Sequence, residues 1–273
     1  MTDVTLQMIL FALMIVLYVL RERDLPRRSR GQFEIGTAST FGTRTVQQNY
    51  SGAKEMSGAL LLLLADGSGQ NGELAAKLAV DTFKDLFAEE NAVDKPQYFF
   101  KRAANAAQKR ITNTLEERQG ESSLAAVVLD GPQMTYMLAG DCRVMVFRNG
   151  EMVPVSEGQT IDVLARHRYE EGRISKQETL ALLDKHRRYN VFGQDTFHDI
   201  ELISKPLELK PKDMVVMMSA GVFDTLGWVD IENVLKQKRS AQELANEIIR
   251  RADASPIADK DNASVVICRR GEG

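Results

Sequence analysis

The sequence predicts an α+β fold in which a central antiparallel β-sandwich is flanked by helices, giving layers in the order α-β-β-α. Short apolar runs end or begin at small polar turns rich in Gly, Asp and Asn, which is typical of buried strands. Turn dipeptides in the middle of the chain indicate hairpins. Long amphipathic segments accompany these runs, and antiparallel strands with paired helices favour two packed sheets covered by helices.

The first half of the predicted domain contains a buried strand followed by two helices. Residues 32–43 indicate a first strand or two, and the polar stretch 44–58 is predicted to be a loop. Residues 60–64 are apolar on both faces, which indicates a strand covered on both sides. Residues 71–90 carry an apolar stripe at helical spacing. A second helix is predicted over 96–119, since its leading proline suits the first turn.

Two hairpins are predicted next along the chain. Residues 124–130 and 133–140 flank Gly-Pro, and residues 143–148 and 151–155 flank Asn-Gly. Asn-Gly between alternating apolar residues is the strongest short hairpin signal. We expect the four strands to form one antiparallel meander.

The last part of the chain returns to mixed elements. Residues 157–193 are polar and helical in pattern, and residues 214–219 are predicted to be a core strand. Ser240 and Glu243 have the spacing of a capping box, which predicts the start of an amphipathic helix. A closing strand is predicted over 264–268.

The N-terminal segment has the composition of a membrane anchor. Residues 4–20 are nearly all apolar, at the lower limit of length for a helix that spans a bilayer. A cleaved signal peptide is the alternative. Signal peptides, however, carry a basic segment before the apolar run and a small-residue cleavage site after it. Here Asp3 precedes the run and Arg21 opens an arginine cluster behind it, which places the downstream chain in the cytoplasm.

The composition favours one ordinary globular domain after that segment. We predict an N-terminal transmembrane anchor (1–24), a basic linker (25–31) and one domain (32–273), hence a single-pass membrane protein. The chain is 44% hydrophobic with a formal net charge of −3, which argues against disorder and against nucleic-acid binding. Cys142 and Cys268 lie beside or within apolar runs and are expected to be buried and reduced.

Three of the four polar turns next to core strands carry an acid. These residues are Asp66, Asp141 and Asp261, whereas the fourth turn carries Ala220. Hard cations such as Mg²⁺ or Mn²⁺ bind carboxylate, carbonyl and water oxygens, and two bridged cations can activate water for phosphoester hydrolysis. Taken singly, Asp and Asn before Gly are also ordinary turn residues. Their joint occurrence at strand ends is what favours a site.

Five segments of the chain, in order, resemble the motifs of the PPM-type (type 2C) metal-dependent Ser/Thr protein phosphatases. RTVQQN resembles the family's Arg-x-x-Asn-Glu/Gln-Asp segment, and ADGSGQNG its Asp-Gly-x-Gly-Gly-His loop. LAGDCRVMVFRNGEM resembles its Gly-Asp-Ser-Arg hairpin, LKPKDMVVMMSAGVFDTL its Ser-Asp-Gly strand and helix, and DNASVVIC its closing Asp-Asn segment. The stretch 171–193 is similar to the flap of bacterial members together with the segment directly after the flap.

The resemblance implies a PPM phosphatase-like domain with a Mn²⁺ or Mg²⁺ site, if metal binding is retained. The implied metal ligands are Asp66, the Gly67 carbonyl, Asp141 and Asp261, and Arg44 is the implied phosphate contact. A phosphoprotein or another partner from a kinase pathway is implied as well.

The departures from the family pattern fall on functional positions. Asn49 and Ala220 stand where the family has aspartates, and Asn71 stands where it has the histidine proposed as general acid. A methyl group cannot bind a cation. General acid catalysis typically contributes about a hundred- to ten-thousand-fold in rate, and an amide cannot supply it.

Three functions are compatible with this pattern. The first is a membrane-anchored pseudophosphatase that serves as a regulatory or binding module for phosphoproteins, with an incomplete two-metal site. The second is an active Mn²⁺- or Mg²⁺-dependent Ser/Thr phosphatase with an atypical site, in which water replaces a missing carboxylate. The third is a structural component that uses the sandwich surface for assembly.

Overall fold

Two antiparallel sheets packed face to face, with helices on both outer faces, form the part of the chain that the structure describes. The structure is a computed structural model, and it describes residues 33–89, 92–116, 118–183 and 187–271. The predicted anchor and basic linker lie outside these ranges. Among the described residues, no helix is both long and apolar enough to cross a membrane.

Eleven strands and seven helices are present in the described ranges. The strands are β1 (Phe33–Thr40), β2 (Asn49–Met56), β3 (Ala59–Ser68), β4 (Glu121–Asp130), β5 (Gln133–Ala139), β6 (Arg143–Arg148), β7 (Glu151–Pro154), β8 (Glu201–Leu202), β9 (Leu207–Glu208), β10 (Met214–Met218) and β11 (Ala263–Arg270). The helices are α1 (Gly72–Glu89), α2 (Pro96–Leu115), α3 (Ile161–Glu170), α4 (Lys176–Leu180), α5 (Ala220–Thr225), α6 (Trp228–Leu235) and α7 (Ala241–Ala254).

The sheet orders confirm the predicted layers. One sheet has the order β1-β11-β10-β6-β7, and the other has the order β2-β3-β4-β5-β8, with β9 also paired to β5. Leu60, Leu62 and Leu64 of β3 point into the core between the sheets, while Leu61 and Leu63 pack under α1 and α2. A strand apolar on both faces is required here because both of its faces are covered. Helices α5 to α7 cover the other sheet.

The predicted meander of four strands is wrong. Each hairpin forms as expected, but β4 and β5 belong to one sheet and β6 and β7 to the other. The chain crosses between the sheets at residues 140–142. Local alternation in sequence specifies which strands pair across a tight turn, and it carries no information on which sheet receives the next hairpin. This crossover places Asp141 at the end of the sandwich.

The predicted loop over 44–58 is also wrong in its second half, which forms β2. This strand pairs with β3 only and lies at the edge of its sheet. An edge strand is half exposed and can carry charged residues such as Lys54 and Glu55, so its composition resembles that of a loop. Helix α2 ends at Leu115, earlier than predicted, where Glu116 takes a positive φ of 51°. The capping box of Ser240 and Glu243 at α7 is confirmed.

Candidate functional site

The three aspartates of the polar turns gather at one end of the sandwich. Asp66 lies near the end of β3, opposite Asn49 of β2 and Ser123 of β4. Asp141 lies in the crossover between the sheets, and Asp261 precedes β11. Both of the latter carboxylates are close enough to raise the pKa of Asp66. The structure therefore brings together the acids that the sequence singled out.

Asp66 is the most buried of these carboxylates. Its side chain is almost inaccessible, with the residue 7% exposed, and its Oδ2 accepts a hydrogen bond from the Ala220 N–H at 3.3 Å. Burial, followed by the charge of Asp141, raises the pKa of Asp66 to about 7, although Arg188 acts in the opposite direction. Ionisation of this buried carboxyl is therefore unfavourable unless a cation lies close to it.

Asp141 is held by a serine and an arginine. Its Oδ1 accepts a hydrogen bond from Ser123 Oγ at 2.6 Å, and Arg188 Nη1 lies 3.5 Å from the same oxygen. Arg188 Nη1 also donates to Ser123 Oγ at 3.2 Å. Gly140 makes this possible, because its φ is +87° and a Cβ there would lie 2.2 Å from Ser123 Oγ. The Asp141 carboxylate is thus already neutralised by a side chain of the protein.

Arg188 is the residue of the site that the sequence did not reveal. The segment that carries it forms isolated bridges from Arg188 to Thr160 and from Phe192 to Ser122, which bring it alongside the start of β4. In the sequence Arg188 is one of two adjacent arginines within the stretch 171–193, and the neighbouring Arg187 is exposed. No local pattern distinguishes the two, so only the tertiary structure selects Arg188.

Arg44 and Asp261 form an ion pair at the open edge of the site. Arg44 Nε lies 3.2 Å from Asp261 Oδ1, and Arg44 Nη1 lies 3.0 Å from Asp259 Oδ1. The Asp261 carboxylate also accepts the N–H of Asn262 at 2.8 Å. The guanidinium of Arg44 is therefore shared between two aspartates. Its role as a phosphate contact stays a prediction, as does metal ligation by Asp66, Gly67, Asp141 and Asp261.

Asn49 joins the two sheets by hydrogen bonds. Its Nδ2 donates to Ser219 Oγ at 3.1 Å and to the Asn262 carbonyl at 3.2 Å. An aspartate could make neither bond as a donor. Within the described ranges, Asn49 Oδ1 is buried and accepts no hydrogen bond. The amide thus performs a structural task at a position where the family resemblance implies an acid.

Asn71 cannot act as the general acid, the role that the family resemblance implies for a histidine at this position. Its Nδ2 donates to the Gln119 carbonyl at 3.1 Å, so the side chain is used to hold the loop before β4. His167 bonds Glu157 at 2.6 Å, and His198 Nδ1 lies 2.9 Å from the Thr196 carbonyl. His186 lies outside the described residues.

The donor set does not fit a pair of divalent cations. Among the described residues, no three His, Cys, Asp or Glu side chains are grouped so as to hold a metal ion. Asp66 faces a backbone N–H and the methyl-bearing Ala220 rather than a third carboxylate. Asp141 and Asp261 are both engaged with arginines. Hard dications need several free oxygen ligands, and these carboxylates offer few.

A cleft of about 660 Å³ adjoins the acidic cluster. It lies between α3, the β6–β7 hairpin and the start of the α5–α6 pair, and it reaches Asp141 and Ala220. Arg143 forms part of its wall and stacks over the Phe223 ring at 3.7 Å from the ring centre. Trp228 lies at its rim and is partly exposed. The cleft is large enough to admit a peptide segment or a small ligand.

The architecture defines the class: the described residues have the fold of the PPM-type Ser/Thr phosphatases. The S. agalactiae serine/threonine phosphatase superposes with a TM-score of 0.76 at 20% identity, over 88% of this chain and 100% of that one. The catalytic domain of the phosphatase PstP in complex with two manganese ions gives a TM-score of 0.68 at 21% identity, over 88% and 99%.

A curated relative agrees with the structural comparison. The chain is 22% identical over 219 residues to the serine/threonine phosphatase Stp of Listeria welshimeri serovar 6b. The aligned region covers 77% of this chain and 84% of the relative. No family model matches the chain. At these identities the likeness shows the fold, and the activity of this chain has to be argued from its own residues.

Proposed function

We propose that this chain is a pseudophosphatase of the PPM family, which uses the phosphatase fold to bind a partner and does not hydrolyse phosphoesters. The observation that carries the proposal is the contact between the Ala220 N–H and Asp66 Oδ2 at 3.3 Å. A third carboxylate would be needed there to hold a cation against Asp66 and Asp261. Without bound dications, the site has no means to generate a hydroxide nucleophile near neutral pH.

The charge of the site supports the same proposal. The carboxylates of the site outnumber the guanidinium groups that pair with them, since Asp141, Asp259 and Asp261 share those of Arg44 and Arg188. A phosphate dianion is repelled by such a cluster unless metal ions reverse its charge. We propose a phosphoprotein or another kinase-pathway protein as the partner, since the relatives are Ser/Thr phosphatases. It is expected to bind through the adjacent cleft rather than through a phosphate held on the carboxylates.

The test is hydrolysis of p-nitrophenyl phosphate by the full chain with Mn²⁺ or Mg²⁺, beside Asp66→Ala. We expect both proteins to give the rate of buffer alone, while the Listeria phosphatase serves as a positive control. A Mn²⁺-dependent rate that disappears in Asp66→Ala would establish the second candidate, an active phosphatase with an atypical site. The survival of Asp66, Asp141 and Asp261 at the end of the sandwich favours that candidate.

We also propose that residues 1–24 anchor the domain to a membrane, with the domain in the cytoplasm. The apolar run 4–20 and the arginines that follow it support this arrangement. Deleting residues 1–24 is expected to move the protein from the membrane fraction to the soluble fraction. Deleting the basic linker 25–31 instead is the control and should leave the protein in the membrane fraction. Equal fractionation of the two deletions would contradict the anchor.

A further inference from the structure

One cation of the protein lies against a carboxylate of the site. Arg188 Nη1 is 3.5 Å from Asp141 Oδ1 and 3.2 Å from Ser123 Oγ, and the Arg188 side chain is only 23% exposed. Ser123 lies opposite Asp66 in the pairing of β4 with β3, so the hydrogen bond to Ser123 keeps the guanidinium on the side of the site where Asp66 lies. The carboxylates in turn favour the charged form of the guanidinium.

The backbone on both sides of Arg188 is held by hydrogen bonds. The Ile161 N–H donates to the Arg187 carbonyl at 2.8 Å, and the Tyr189 N–H donates to the Gln159 carbonyl at 3.1 Å. Farther along, Ser122 and Phe192 exchange two backbone hydrogen bonds at 2.9 and 3.0 Å. Because the backbone is paired before and after it, the Cα of Arg188 is fixed beside the start of β4, and its guanidinium is held there by Asp141 and Ser123. It is a fixed component of the site rather than a mobile surface arginine.

We infer that Arg188 is a resident cation that closes the metal site by occupying the Asp141 carboxylate, which a divalent cation would need. The inference deepens the proposed pseudophosphatase function and rests on it. It adds a second obstacle to metal binding that is independent of Ala220. Restoring the carboxylate at position 220 alone is therefore not sufficient to restore full metal affinity.

The physical reason is charge repulsion at short range. A dication bound by Asp141 would lie close to the Arg188 guanidinium, and like charges at short range repel each other even with partial solvent screening. Arg188 cannot relieve this repulsion by losing its proton, because a guanidinium stays charged in a protein. Only removal or displacement of the side chain opens the site.

The experiment measures binding of Mn²⁺ alone to the full chain by isothermal titration calorimetry. We compare wild type, A220D, A220D/R188Q and A220D/R187Q, the last being a charge-matched control because Arg187 is adjacent and exposed. We expect no binding by wild type. Affinity in A220D/R188Q should exceed that in A220D by about tenfold or more, as expected from removing one close positive charge. A220D/R187Q should stay within about twofold of A220D.

A second measurement applies if loss of Arg188 impairs folding. The melting temperature of A220D/R188Q should then rise on addition of Mn²⁺, because the dication replaces the missing cation, while that of wild type should not change. The inference is overturned if A220D/R188Q binds Mn²⁺ no more tightly than A220D/R187Q, or if Mn²⁺ fails to raise the melting temperature of an unstable A220D/R188Q. Mn²⁺ binding and hydrolysis by wild type would overturn the proposed function as well, so the two failures are distinguishable.

Discussion

Asp66→Asn is expected to stabilise the protein by about 2–4 kcal/mol at pH 8. Burial and the nearby Asp141 raise the pKa of Asp66 from 3.8 to about 7 in the folded state, and each unit corresponds to about 1.4 kcal/mol. Asparagine keeps the shape of the side chain and can still accept the Ala220 N–H. The substitution removes a buried negative charge that the folded state tolerates poorly.

The pH dependence of this effect has a definite sign. Below about pH 4 the Asp66 carboxyl is protonated in both states and costs the folded state little. As pH rises, the unfolded chain ionises first, so wild type loses stability between about pH 4 and pH 7, and the loss is complete above pH 7. The gain of Asp66→Asn should therefore be below about 1 kcal/mol at pH 4 and reach its full size at pH 8.

Urea unfolding of the full chain at the two pH values measures this difference. Asp259→Asn is the matched control, because the Asp259 side chain is 75% exposed and its pairing with Arg44 is worth less than about 1 kcal/mol. A loss of stability in Asp66→Asn at pH 8 would show that the ionised carboxylate is compensated by a cation. That result would favour a metal-binding site and the active-enzyme alternative.

Gly67→Ala is expected to destabilise the protein by about 3 kcal/mol or more. A Cβ at Gly67 would lie 2.2 Å from the Gly72 carbonyl oxygen and 2.6 Å from the Gln48 carbonyl oxygen. Both atoms belong to the backbone, so the start of α1 or the chain before β2 would have to move. The expected loss means that packing alone accounts for a glycine at this position, whether or not its carbonyl ever binds a metal.

Thermal and urea unfolding of Gly67→Ala beside Gly227→Ala tests this prediction. At Gly227, φ is −66°, and a Cβ would meet only the flexible end of the Asp230 side chain, at 3.1 Å. We expect that control to change stability by less than about 1 kcal/mol. If the two variants unfold alike, the close approach at Gly67 does not constrain the fold, and retention of the glycine would then point to its carbonyl.

Local signals in the sequence were sufficient for most of the architecture. Apolar runs bounded by turns predicted β3, β10 and β11, and apolar stripes predicted α1 and α7, because burial imposes a period on each element. The edge strand β2 was missed because half of it faces solvent and its composition is polar. The division of the two hairpins between sheets was missed because strand pairing across a tight turn is local and sheet membership is not.

The candidate site was predicted in part for the same reason. Asp66, Asp141 and Asp261 stand at turns beside core strands, and such turns can be recognised in the chain itself. The residues that contact these acids could not be recognised in the same way. Arg188 is far from them in sequence, and it reaches Asp141 only because its segment pairs with Thr160 on one side and Ser122 on the other.

The layers of this protein, its acidic turns and the missing carboxylate at Ala220 could all be recognised from the chain, because residue identity and local periodicity are sufficient for each. That Arg188 contacts Asp141 and Ser123, and that Asn49 links the two sheets, became apparent only in the folded molecule. Interaction between charges depends on their distance in space and on burial, and neither can be obtained from spacing along the chain. Whether an acidic turn can accept a metal ion is therefore a property of the folded site.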